Sequence, residues 1–175
     1  KSVGCESSTN AYSVKGSTPF IDALFATRYG IYPDQQPADG LKEQIGRQGS
    51  MWFYENKYTL PVGFGMPQDM ETNWVLDSGN PANVQNDLSS VLGVINLLVP
   101  AEGVSEGKKL TFTADASGDY YVYVTNKKVE EVSAEIGERS LSFDNVDRGY
   151  FLELGYLPKG QEVILQSQTD GNPAM

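Results

Sequence analysis

Apolar residues are spaced in two different ways along this 175-residue chain, and the change comes near residue 109. Before it the signals are helical or irregular. Thr18-Pro19 offers an N-cap followed by proline at the first helical position, where its fixed φ suits the helix and its missing N–H costs nothing. Phe20, Leu24 and Thr27 can then share one helical face, with Ile21 and Phe25 beside them, and Gly30 is the latest end for this short helix. Tyr29 to Tyr32 starts a strand. Residues 33–50 are polar and read as a long loop. Ser50 to Tyr58 (SMWFYENKY) is rich in β-formers until Glu55-Asn56-Lys57, where a bulge or turn is expected. Leu60 to Pro67 is a second extended segment, and its prolines restrict it to an edge or an irregular strand. Asn80-Pro81 opens a second helix, with Val84, Leu88, Val91, Leu92 and Ile95 in one apolar stripe. Pro100 stops it, and the stripe predicts packing against a sheet.

From residue 109 the period becomes two. Leu110, Phe112 and Ala114 alternate with Thr111 and Thr113, and Tyr120 to Val124 is a continuous β-forming run. Asp115 to Asp119 lies between them as a turn, so the two runs predict a hairpin. Further strands are expected at 130–136, 140–145, 149–156 and 161–167, separated by short turns rich in Gly, Asp and Pro. Strands at roughly ten-residue spacing mean an antiparallel β-sandwich. The expected fold class is therefore mainly β with minor α: a sandwich plus two helices. Residues 1–100 form a mixed α/β part and 101–175 the sandwich part, within one compact unit. Residues 1–17, rich in Ser, Gly, Asn and Thr, read as a loop or frayed terminus. There is no internal repeat.

Composition supports this reading and narrows the chemistry. Ten Tyr, seven Phe and two Trp suit half-buried pleated surfaces, and eighteen Gly with nine Pro imply many turns. The formal charge of −10 disfavours nucleic acid, whose binding depends on Lys and Arg at phosphates. The absence of His removes the commonest general base and excludes a Ser-His-Asp arrangement. A single Cys, Cys5, excludes an intrachain disulfide. The longest apolar stretch, Val91 to Val99, is too short to span a bilayer and contains Asn96. The chain starts with Lys, so an excised piece of something longer is expected, with any targeting or membrane segment lying outside it.

Several residues are candidates for chemistry. Asp22 falls in the first helical turn, where a carboxylate favours the positive helix end; its expected role is a local acceptor. Asp115 and Asp119 could offer oxygens to calcium, but their spacing is not that of an EF-hand and turns favour Asp anyway. Glu130, Glu131 and Glu135 could pair as in glycoside hydrolysis, yet acids on strands of so acidic a chain read as solvated faces. Gly63-Phe64-Gly65 lacks the rest of a phosphate loop. No catalytic residue, metal ligand or cofactor is therefore expected. The aromatics are the more specific signal, because sugars stack their C–H faces on exposed rings. Trp52, Trp74, Tyr120, Tyr121 and Tyr123 are the candidate glycan-binding residues. Neighbouring strand residues point to opposite faces, so Tyr120 and Tyr121 must part.

Three stretches together carry a family resemblance. Gly16 to Phe25 (GSTPFIDALF) with Arg28-Tyr29-Gly30-Ile31 resembles the "GTPLIDSLFGVKYVI" type of stretch in YfhO-type bacterial membrane proteins. Tyr54 to Phe64 (YENKYTLPVGF) resembles their "YEN-x-x-ALPLGF" stretch. Asn80-Pro81 with Gln85-Asn86 resembles their "NPFENQN", departing at Ala82, Asn83 and Val84. The resemblance covers residues 16 to about 98. It implies a parent with many membrane spans followed by a large domain outside the cell, in the cell membrane of a Gram-positive bacterium. It also implies a glycosyltransferase that uses a polyprenyl-phosphate sugar to modify cell-wall polymers such as lipoteichoic acid. The catalytic acid of that class would lie in the membrane part, so this piece is expected to be non-catalytic and to bind or orient the acceptor glycan. Its expected partners are the glycopolymer and its own membrane part. The alternative is a structural or protein-docking domain without glycan affinity. The Tyr-rich SGDYYVYV with the later LPKGQEVIL also resembles a carbohydrate-binding jelly roll.

Overall fold

A computed structural model describes residues 3–8, 11–33, 35–36, 40–66, 68–73, 79–94 and 97–168. The chain is mainly β and divides into two compact units, Ser17–Met66 and a larger one made of residues 1–16 with 67–175. The larger unit begins with a minimal antiparallel ribbon of β1 (Ser7–Ser8) and β2 (Ala11–Tyr12). The smaller unit holds α1 (Pro19–Leu24), β3 (Tyr29–Tyr32), β4 (Lys42–Gln48) and β5 (Met51–Asn56). The larger unit resumes with α2 (Met70–Asn73), α3 (Pro81–Val91) and β6 (Gly103–Glu106). It continues through β7 (Lys109–Thr113), β8 (Gly118–Tyr123), β9 (Val132–Ile136) and β10 (Arg139–Phe143). A 3-10 turn, Val146–Arg148, then leads to β11 (Phe151–Leu157) and β12 (Glu162–Ser167).

In the larger unit a five-stranded antiparallel sheet, ordered β10-β9-β12-β7-β6, faces a two-stranded one, β11-β8. The pairs nest: β7 with β12 outermost, β8 with β11 next, β9 with β10 innermost. That is one long hairpin rolled up, the topology of a jelly roll. Alternation drives the packing. Leu110 and Phe112 on β7, Ala134 on β9, and Val163 and Leu165 on β12 meet Val122 on β8 and Leu152, Leu154 and Leu157 on β11 in one buried cluster. The register of β11 slips between Glu153 and Gly155. Gly155 takes φ 77°, a backbone state that side chains disfavour, so the bulge keeps both Leu154 and Leu157 inward. The Arg139 guanidinium donates to the Leu154 carbonyl, satisfying an acceptor beside the bulge.

The expected strands from 130 onward are present within a few residues. The expected hairpin of Leu110–Ala114 with Tyr120–Val124 is not. Those two strands belong to different sheets, and residues 114–117 carry the chain across the core. Both runs need to bury an apolar face, and placed in facing sheets each is covered by the other's. Strand β6 was not expected; it is exposed along its whole length and is held by the β7 ladder alone.

The described residues of the N-terminal segment, 3–8 and 11–16, are held by contacts to the rest of the unit. Phe151 N donates to Gly4 O at 2.8 Å, and Glu6 N to Lys15 O at 2.9 Å. Arg148 pairs with Glu6 at 2.8 Å, and Lys15 pairs with Asp144. Gly4, at φ 92°, lies so close over the Phe151 ring that no Cβ fits there. Helix α3 starts as its sequence dictates: Asn80 Oδ1 accepts from Ala82 N at 2.9 Å with Pro81 at the first position. Val84 and Leu88 are buried; Ile95 lies outside the described residues. Gln85 is buried too, and its Nε2 donates to Val3 O at 2.7 Å. Asn86 takes Leu98 N and donates to Leu98 O, both at 2.8 Å, which ties the segment after the helix to its middle.

The smaller unit is a three-stranded antiparallel sheet, β3-β5-β4, with α1. Thr18 Oγ1 accepts from Ile21 N at 3.3 Å, the predicted cap, and Ile21 is fully buried. Residues 33–50 are not all loop, because β4 lies inside them. Its sequence KEQIGRQ has no apolar alternation and a bulge between Gln44 and Gly46, so only the ladder to β5 reveals it. Leu60 to Met66 contains no strand, in keeping with Pro61 and two glycines.

Leu152 and Leu165 face each other's sheets with almost no exposure. Leu152→Ala and Leu165→Ala should each lower unfolding free energy by about 2–5 kcal/mol, while the exposed Val104→Ala should cost within about 0.5 kcal/mol. Urea titration followed by circular dichroism reads the difference.

Candidate functional site

The direction of β8 decides where its tyrosines go. Val122 and Val124 point into the core, so Tyr120 points inward with them while Tyr121 and Tyr123 point out. Tyr120 packs at the edge of the core, its ring stacked on Phe112 with centroids 5.7 Å apart. Its hydroxyl donates to Asp115 Oδ1 at 2.9 Å and lies 3.0 Å from Ala116 O. Burial raises the Tyr120 phenol above its usual range, the Ala116 backbone acts against this, and Asp115 adds to it. Tyr120 and Asp115 therefore fix the crossover between β7 and β8.

On the outer face of the β8–β11 ribbon the register sets three cross-strand pairs: Tyr123 with Phe151, Tyr121 with Glu153, and Asp119 with Tyr156. Rings and carboxylates thus alternate across the ribbon. The Phe151 ring lies 5.8 Å from Tyr121 and 6.1 Å from Tyr123, between centroids. Phe151 is buried, whereas Asp119, Tyr121, Tyr123, Glu153 and Tyr156 are half-buried. Tyr123 donates its hydroxyl to Gly79 O at 3.2 Å, and Lys127 Nζ sits 5.3 Å from its ring centroid. Tyr121 and Tyr123 are each held by a neighbour and keep part of their surface in water.

Two further aromatic candidates lie elsewhere in the sequence, at Trp52 and Trp74. Trp52 is in the smaller unit, opposite Tyr32 and Arg47 in the sheet, with the Arg47 guanidinium 4.4 Å from its ring. Trp74 lies outside the described residues. Sequence reasoning missed Glu153, Tyr156 and Lys127. Parity along β11 could have placed Tyr156 outward only if the bulge at Gly155 had been foreseen.

The acid clusters behave as surface. Among the described residues no three His, Cys, Asp or Glu side chains come together in a way that could hold a metal ion. Asp115 is engaged by Tyr120, and Asp119 belongs to the ribbon's outer face. Glu135 is exposed on β9, opposite Ser140 and Ile164, and Glu130 and Glu131 precede that strand. A shallow groove of about 130 Å³ on the five-stranded sheet is lined by Val104, Glu106, Lys109 and Thr111, and no ring among the described residues lines it.

In the smaller unit Asp22 is held locally. Ser17 Oγ donates to Asp22 Oδ1 at 2.6 Å, and the backbone carbonyl of Asp22 accepts from Thr27 N at 2.8 Å. Burial pushes the carboxyl above the usual range, with the Ser17 hydrogen bond and the Lys42 charge opposing. This matches a local acceptor at a helix start.

Compared with protein-family models, with curated proteins and with solved structures, the chain matches none.

Because the folded-state pKa of Asp22 is raised, ionising it costs more in the folded chain than in the unfolded one. Its contribution is therefore neutral below the unfolded value of about 4 and becomes destabilising as pH rises through the folded one. Asp22→Asn should remove that loss: its Tm should gain on the wild type between pH 4 and pH 7. Thermal melts across that range test this, and a constant difference would contradict it.

Proposed function

We propose that this chain is an outer, non-catalytic domain of a membrane glycosyltransferase of the YfhO type. The parent would add sugars to cell-wall polymers on the extracytoplasmic face, and the domain would bind or orient the acceptor glycan. The observation that carries the glycan part is the outer face of the β8–β11 ribbon. Its half-buried tyrosines offer ring faces for sugar C–H groups, and the carboxylates between them accept from hydroxyls. Rings pinned by neighbours lose little side-chain entropy on binding. Gly4 covers the Phe151 end of the face, so a polymer would lie over Tyr121, Glu153, Asp119 and Tyr156. The parent assignment rests on the three sequence stretches alone.

A second reading is a structural or protein-docking domain without glycan affinity. The absence of rings from the 130 Å³ groove favours it, because that concavity has no stacking platform.

The polymer's charge separates outcomes further. The larger unit carries eighteen acids against nine bases. A phosphate-linked polymer would be repelled, and at an ionic strength near 0.15 M, where the screening length is about 8 Å, that repulsion weakens. Calorimetric titration of neutral wall polysaccharide fragments should show saturable binding that Tyr121→Ala lowers at least tenfold and that Tyr120→Phe leaves intact. Lipoteichoic acid should bind more weakly, and salt should strengthen it. No binding of either polymer at millimolar repeat units, or equal binding by Tyr121→Ala, would rule out the glycan role and favour the docking reading.

A further inference from the structure

Of the thirteen large hydrophobic side chains found exposed among the described residues, nine lie in Ser17–Met66. Several gather at one loop. Residues 58–66 read Tyr-Thr-Leu-Pro-Val-Gly-Phe-Gly-Met and hold no charge. Val62 is 96% exposed and Tyr58 69%, with Leu60 and Met66 also open to water. Leu60 N donates to Ala23 O at 3.1 Å, which sets the loop beside the end of α1, where Phe25 is exposed as well. A bare valine at the tip of an ordered loop gains nothing for folding, and burying it elsewhere would recover free energy.

We propose that the loop 58–66 inserts into the interfacial region of a lipid bilayer, with Val62 leading. This goes beyond the glycan reading and does not depend on it. The chemistry favours lipid over a protein groove. The tip is aliphatic and uncharged, Tyr58 stands at its root, and Lys57 precedes it, which is the order of acyl, interface and headgroup contacts. Charge fits as well. Ser17–Met66 balances five acids with four bases, so it lacks the acidity that would drive the rest of the chain from phosphates. Three of its four cations also lie over rings, Arg28 over Tyr29, Lys42 over Tyr32 and Arg47 over Trp52, pairs suited to a headgroup layer.

Co-sedimentation of the 175-residue chain with sucrose-loaded phosphatidylcholine vesicles tests this. Saturable binding at millimolar lipid that Val62→Asp reduces at least tenfold is expected, with Tyr58→Ser weaker than wild type. Val62 is so exposed that its replacement should leave the thermal melt unchanged, and Tyr121→Ala should bind vesicles as the wild type does. No binding, or equal binding by Val62→Asp, would overturn the proposal. So would binding confined to vesicles containing phosphatidylglycerol and abolished by salt. Self-association that Val62→Asp removes, without vesicle binding, would assign the loop to a second copy of the chain instead.

Discussion

Val122 on β8 and Leu152, Leu154 and Leu157 on β11 are withdrawn from water against Leu110, Phe112, Val163 and Leu165 of the facing sheet, and this burial fixes nearly everything else in the larger unit. A strand has two faces, so committing the even positions of β8 to the core commits Tyr121 and Tyr123 to the outside. A slip of one residue would bury two tyrosines and expose two valines. The same demand explains the bulge at Gly155: without the extra residue, Leu154 and Leu157 could not both face inward. The outer pairing of rings with carboxylates is thus a consequence of the inner packing. The core determines which side chains reach the candidate site, and Gly79 and Lys127, outside the strands, steady the Tyr123 ring.

The smaller unit depends on a different kind of contact. Arg28 Nε donates to Glu55 at 2.8 Å, Asn56 Nδ2 to Thr27 O at 2.6 Å, and Asn56 N to Arg28 O at 2.8 Å. Tyr54 is buried against Tyr32 edge-on, and its hydroxyl accepts from Gln36 N. The first two stretches behind the proposed family likeness are therefore the two sides of one joint. The third behaves similarly, since Asn80 caps α3, Gln85 holds the N-terminal segment and Asn86 holds Leu98. Residues that make specific backbone hydrogen bonds are hard to replace, which gives a physical reason for such stretches to be distinctive. It also means that the likeness bears on how the chain folds. The residues proposed to meet a glycan lie outside all three stretches.

Where the local sequence carried its own physics, the elements were legible. Thr18-Pro19 and Asn80-Pro81 announce their helices because cap and first turn are written in adjacent residues. Strands β7 to β12 were visible through period-two alternation with turns between. What failed was pairing. Residues 110–114 and 120–124 look like hairpin partners, but nothing in a short turn distinguishes a lateral neighbour from one across the core. Strands β4 and β6 were invisible because neither contributes an apolar face; a partner's ladder makes them strands. The candidate site was half legible. Parity separated Tyr120 from Tyr121, whereas Glu153 and Tyr156 required the register of β11, which a bulge had shifted.

The two proposed surfaces differ in charge, and the difference constrains how such a domain would work. The acids fall mostly in the larger unit, whose tyrosine face offers carboxylates to hydroxyl groups and discourages phosphate. The smaller unit is close to neutral and places an uncharged apolar tip in water. One chain of −10 therefore presents a part that tolerates a phosphate-rich bilayer surface and a part that does not. If each did the other's task, the acids would hold the chain off the membrane and the apolar tip would find no hydroxyls. On the two proposals together, dividing the tasks between the units would keep the acids away from lipid and the apolar tip away from the sugar polymer. Two weak contacts on one chain would raise the local concentration of each ligand for the other, so that an acceptor could be held near a membrane without either proposed site binding tightly.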